Sequence, residues 1–186
     1  MRARHTSFLS VGTGLLACLL ALSVLGSGCA ARRELPLTPL QLALVPGAEV
    51  FAKETPVRGL RVNAIYGVQQ DVIGLDAGFV NDVSESMQGI GVGALNIARK
   101  QATGLAVGLG NSVGEEFRGG QLGVANHVSG EFAGAQIGLG NSMRKGSGFQ
   151  LGIINVADSL KGAQVGLINI NRSGWLPFFP GINFSR

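Results

Sequence analysis

The chain has 186 residues, of which 30 are Gly, more than twice the ordinary share of roughly 7%. Apolar types reach 46%, charged residues only 14% and aromatics 6%, and the formal net charge is +4. That balance excludes a disordered chain, which combines low hydrophobicity with high charge. With six Pro and no Gly at every third position it also excludes collagen. A helical domain is disfavoured, because each Gly costs about 1 kcal/mol relative to Ala inside a helix.

In chain order, residues 1–28 read as an export signal. Arg2, Arg4 and His5 form a basic start, and an apolar run from Leu15 to Leu25 follows. Gly26-Ser27-Gly28 then leads into Cys29. The run is shorter than the ~20 apolar residues of a membrane span. The Gly-Ser-Gly-Cys end resembles a bacterial lipobox, with Gly26 where an apolar residue is usual, and this implies that Cys29 carries a lipid. Ala30 follows Cys29, not the Asp associated with inner-membrane retention, so the resemblance implies an outer-membrane address. Cys18 would leave with the signal, so the exported fold is expected to stand without a disulfide. Loss of Arg2 and Arg4 leaves 13 basic and 11 acidic residues, scattered without a basic stripe, which argues against nucleic acid as a partner. Residues 29–58, with Pro36, Pro39, Pro46 and Pro56, read as anchor and tether. Within them the apolar run Leu40–Val45 has a second reading, as a segment packed on the first edge of the domain.

From residue 59 to 186 the chain repeats. Asn recurs at Asn81, Asn96, Asn111, Asn126, Asn141, Asn155, Asn169 and Asn183, at intervals of 15 and then 14. Seven residues before each of the first seven stands a Gly: Gly74, Gly89, Gly104, Gly119, Gly134, Gly148 and Gly162. Three before each stands another: Gly78, Gly93, Gly108, Gly123, Gly138, Gly152 and Gly166. Weaker copies at Gly59–Tyr66 and Leu176–Asn183 make nine units.

The residues flanking the second Gly are apolar, as in Leu122/Val124 and Ile137/Leu139, which predicts a strand with that side buried. Gln121, Gln136, Gln150 and Gln164 are then expected on the opposite, outer side. Further apolar positions follow the Asn, as in Val113 and Phe117 or Val128 and Phe132. The fold class expected is all-β, a solenoid of about nine 14–15-residue coils. In it the Asn form one ladder and the Gln a second, outside it. The alternative is an antiparallel meander or barrel, in which the Asn would not share a column. A lipid-facing barrel is disfavoured, because in a continuous strand both faces would carry an amide. Trp175, Phe178, Phe179 and Phe184 are expected to cap the open end or to form an exposed contact patch.

The repeated Gly-x-Gln-x-Gly-x-x-Asn units, closed by Gly174-Trp175-Leu176-Pro177-Phe178-Phe179-Pro180, resemble bacterial surface-repeat proteins of spirochaetes and other didermal bacteria. Asp76, Gly91 and Ala106 depart from the Gln position. The resemblance implies an exported protein at the outer membrane or cell surface, and it transfers no catalytic residues. The residues themselves suggest no metal and no cofactor: His127 is the one His beyond the signal, and the Gly-rich runs lack the Lys-Ser/Thr of a phosphate loop. Ser129, His127 and Asp82 assemble a triad only on paper, and Glu115-Glu116 read as a solvated tip. The expectation is therefore a non-enzymatic, lipid-anchored repeat protein. Its partners would be the membrane through the N-terminal lipid and a protein or envelope polymer through the flat Gln-Gly-small face. A pore or transport component, or a solenoid enzyme acting on polysaccharide, are the alternatives.

Overall fold

The computed structural model describes residues 38–45 and 49–186. The predicted signal, Cys29 and residues 30–37 and 46–48 of the predicted tether lie outside the described residues. Nine strands form one sheet that winds as a β-solenoid of about eight turns. They are β1 (Thr38–Ala43), β2 (Val57–Ala98), β3 (Gln101–Val107), β4 (Gly110–Val113), β5 (Glu116–Leu122), β6 (Ala125–Ile137), β7 (Gly140–Leu151), β8 (Ile154–Asn171) and β9 (Phe178–Ser185). Successive coils pair in parallel and strictly in phase: Gly104 faces Gly119, Gln121 faces Gln136, and Asn111 faces Asn126. The Asn residues share one column, so the solenoid holds and the meander does not.

The two Gly columns have different causes. The first Gly of each unit, from Gly59 to Gly162, has φ between 127° and 144°, a region open essentially to Gly alone. The second has no positive φ. A Cβ on Gly138 would instead stand 2.3 Å from the Gly123 carbonyl oxygen and 2.8 Å from Asn126 Nδ2, so the neighbouring coil excludes it.

Both edges depart from the simple repeat. Strand β1 pairs in parallel with Val57–Asn63, so Thr38–Ala43 packs on the first coil. The ninth predicted unit is not a coil. Its strand β9 turns back and pairs antiparallel with β8, Asn183 opposite Gln164 and Ile182 opposite Val165. Pro177 and Pro180 lack the N–H that a further parallel ladder needs, and Pro is tolerated at an edge.

The interior is half apolar and half amide. Val83, Val113, Val128 and Met143 form one apolar column, and Val72, Met87, Phe117, Phe132 and Leu160 another. The Phe117 and Phe132 rings stack 5.9 Å apart, 9° from parallel. The Gln side is inside, contrary to expectation: Gln121, Gln136 and Gln150 are fully buried, while Leu109, Leu139 and Leu167 are 62%, 55% and 70% exposed. The reason is a bend at the second Gly and the residue after it, as at Gly123-Val124 and Gly138-Leu139. There the strand turns a corner, two consecutive side chains point outward, and Gln and Asn five residues apart both point in.

Candidate functional site

The amide ladders come first, because they fix which residues remain outside. Each Asn donates through Nδ2 to the Oδ1 of the next, from Asn81 to Asn169, over 2.8–2.9 Å. The same Nδ2 donates to a backbone carbonyl, such as Val107 for Asn96 and Ile137 for Asn126. Buried amides are tolerable because those of the ladder from Asn81 to Asn155 both donate to and accept from their neighbours. The Gln ladder runs the other way, Gln164 donating to Gln150, Gln150 to Gln136 and Gln136 to Gln121. It stops there: position 106 is Ala, and Gln121 Nε2 has no partner.

Nearer the N-terminus an ion pair occupies the Gln column. Arg61 donates through Nε and Nη2 to the two carboxylate oxygens of Asp76 at 2.7 and 2.6 Å, both side chains fully buried. Burial pushes the Asp76 carboxyl above its usual range, against the pull of Arg61 and the hydrogen bond from Asn63. Asn63 stands where later units have their second Gly, and it donates to both Asp76 and Asn81, starting the Asn ladder. Asp82 accepts from Arg99 at 3.0 and 2.6 Å and from the Tyr66 hydroxyl at 2.8 Å. Burial raises its carboxyl, and the Arg99 and Tyr66 hydrogen bonds with the Arg99 and Arg61 charges outweigh that and hold it below the usual range. The hydrogen bond to Asp82, then burial, push the Tyr66 phenol up. These charges are spent on one another and replace ladder bonds where the repeat is imperfect.

The residues weighed for chemistry are only partly brought together. His127 Nε2 lies 2.9 Å from Ser129 Oγ and Nδ1 lies 3.3 Å from Ser142 Oγ, all on the surface. Asp82 stands three coils away in the same column, engaged by Arg99 and Tyr66, so the paper triad is not assembled. Glu116 pairs with Arg118 at 2.5 Å, and neighbouring Glu115 points to solvent. Where the period drops to 14, Gly146 takes the Phe place and leaves a notch of about 300 Å³ beside Phe117 and Phe132, rimmed by Glu131, Lys145 and Lys161.

The dominant surface feature is an apolar face. Four outward columns, aligned by the parallel register, run the length of the coils. One is Leu60, Leu75, Ile90, Leu105, Gly120, Ala135, Phe149, Ala163. The next is Val62, Ala77, Val92, Val107, Leu122, Ile137, Leu151, Val165. Beyond the bend come Ala64, Phe79, Ala94, Leu109, Val124, Leu139, Ile153, Leu167, and then Ile65, Val80, Leu95, Gly110, Ala125, Gly140, Ile154, Ile168. None carries a polar side-chain atom. Strand β9 extends the first two columns with Phe184 and Ile182, 57% and 65% exposed. At about 3.3 Å per residue and 4.8 Å per coil the first three columns span about 500 Å² in projection, before side-chain relief and the fourth column. Patches of that size and larger mark contact surfaces. Towards the start of the same strands the outward side chains turn polar, with Gln101, Glu116, Glu131, Lys145 and Ser159 in one column.

Sequence reasoning placed this surface inside and named the Gln-Gly-small side as the contact face. Gln is interior, so that face does not exist. The C-terminal aromatics are exposed, Trp175 at 85%, and closure is made by β9 and the buried Asn183. Comparison of the chain with family models, with curated proteins and with solved structures returned no match.

Proposed function

We propose that this chain is a non-enzymatic, lipid-anchored protein of the outer membrane or cell surface, akin to the bacterial surface-repeat proteins, whose solenoid presents a contact face. The apolar face carries the reading. A protein whose coils place most of their exposed apolar side chains on the same side is organised around an extended contact, not around a point of chemistry. The sequence Gly26-Ser27-Gly28-Cys29 after an apolar run supports the anchor and the address. Labelling of the native protein with palmitate, together with determination of its mature N-terminus, tests the anchor. Label on Cys29 and recovery in the outer-membrane fraction are expected. A native protein that stays in the cytoplasm, or whose mature N-terminus lies elsewhere and carries no label, would refute it.

A further inference from the structure

We propose that the apolar face lies on a lipid bilayer as an interfacial surface, so that the solenoid rests along the membrane. The proposal deepens the anchored reading above and rests on it for the membrane's proximity. Three properties of the face suit a bilayer.

First, its side chains offer no hydrogen-bonding atom across four columns, from Leu60 to Ile168. Protein interfaces carry about one hydrogen bond per 100–200 Å², so a face of this area would be expected to offer several. Second, its backbone is paired even at the bends, where Leu109 N–H donates to Ala94 O, Val124 N–H to Leu109 O and Leu139 N–H to Val124 O. Sheet backbone can meet hydrocarbon only when its polar groups are satisfied internally. Third, the column bordering the face on its polar side contains Arg58 and Lys161, with Arg118 held by Glu116 from the next column, and no acid of its own. Long cationic side chains at such a border keep their stems on apolar surface and their heads among lipid phosphates.

The chain supplies proximity as well. Eight residues lie between Cys29 and Thr38, where β1 begins, a reach of about 30 Å when fully extended. A second copy is the competing occupant. Two such faces stacked would bury at least about 1,000 Å², and more with the fourth column, an area near the lower end of stable interfaces, and would do so without a side-chain hydrogen bond.

The test uses the full chain carrying Cys18→Ser and Cys29→Ser, so that neither lipidation nor its failure affects the result. A single cysteine, Leu139→Cys on the face or Gln101→Cys on the polar side, carries a polarity-sensitive fluorophore. Phosphatidylcholine vesicles with brominated acyl chains are added. The label at 139 is expected to shift to the blue and to be quenched several-fold more than the label at 101, an asymmetry that a retained signal segment alone would not produce. Equal responses at the two positions would overturn the proposal. So would a blue shift at 139 without vesicles, accompanied by a doubled mass in sedimentation, because a second copy would then cover the face. Palmitate labelling of the native chain separately reports on the anchor.

Discussion

Gly134→Ala and Gly140→Ala add the same methyl group to one coil and should have opposite consequences. At Gly134 φ is +144°, and the new Cβ would lie 1.9 Å from the Gly119 carbonyl oxygen. That oxygen belongs to the backbone of the neighbouring coil, so relief requires the two coils to part by more than an ångström. The forbidden dihedral costs about 1–3 kcal/mol, and loosening one or two interstrand hydrogen bonds adds about 1 kcal/mol each. The sum is about 2–5 kcal/mol, a large share of the 5–15 kcal/mol that typically holds a domain together. At about 2–4 °C per kcal/mol for this size, the melting temperature should fall by roughly 4–20 °C. At Gly140 φ is not positive and no atom lies within 4 Å of the added carbon. Ala there should be neutral or stabilise by up to about 1 kcal/mol, through the unfolded chain. Urea unfolding followed by circular dichroism, with amide exchange to locate the lesion, measures both. Gly134→Ala should loosen the strands around residues 119 and 134 first, since neighbouring coils hold one another pairwise. Equal midpoints for the two variants would refute the steric account of the first Gly column.

The buried ion pair gives a second expectation. Asp76→Ala alone should destabilise by about 3–5 kcal/mol, because Arg61 is left charged and buried, whereas Arg61→Gln with Asp76→Gln should be near neutral, two amides replacing two charges; denaturant titration separates these outcomes. Asp82 gives a pH dependence. Its folded-state value is depressed, so its contribution is fully present above the unfolded value near 3.9 and is lost as pH falls through the lower folded value. Asp82→Asn should therefore lower the melting temperature at pH 7, and the difference should shrink as pH falls below the unfolded value near 3.9; a difference that stays constant as pH falls through that range would refute the linkage. Deletion of residues 119–133, one whole repeat, should leave a cooperatively folded chain with a modestly lower midpoint, whereas deletion of 119–126 should abolish folding; far-ultraviolet dichroism and exchange protection decide.

The period and the Asn column were legible because both are intolerant of substitution. A Gly with φ above +120° or under a neighbour's carbonyl has no replacement, and an Asn in the stack leaves two amides unsatisfied if lost. Which side faced inward was not legible. Leu122-Gly123-Val124 alternates like a half-buried strand only if the strand runs straight, and the bend at Gly123 breaks that parity. The usable signal was the odd five-residue spacing between Gln121 and Asn126. Two amides repeated at that spacing in four successive units can share an interior only across a corner. The Arg61–Asp76 pair was hidden for another reason: each residue departs from the pattern, and only stacking reveals that the departures match.

The length of this molecule is decided at its two ends. Inside the stack every Asn and Gln asks the next coil for the same group it offers, so the interior contains no instruction to stop. The stop is written in a few atoms of β9, where the Gly181 carbonyl takes the last Asn169 donor and Asn183 approaches Gln164 at 3.4 Å. At the other end the Asn ladder begins at Asn63, the Arg61–Asp76 pair replaces the Gln ladder, and β1 covers the first coil. A gene encoding such a chain can gain or lose whole units while its termini go on finishing the same structure, and the extent of the surface it offers becomes a matter of counting.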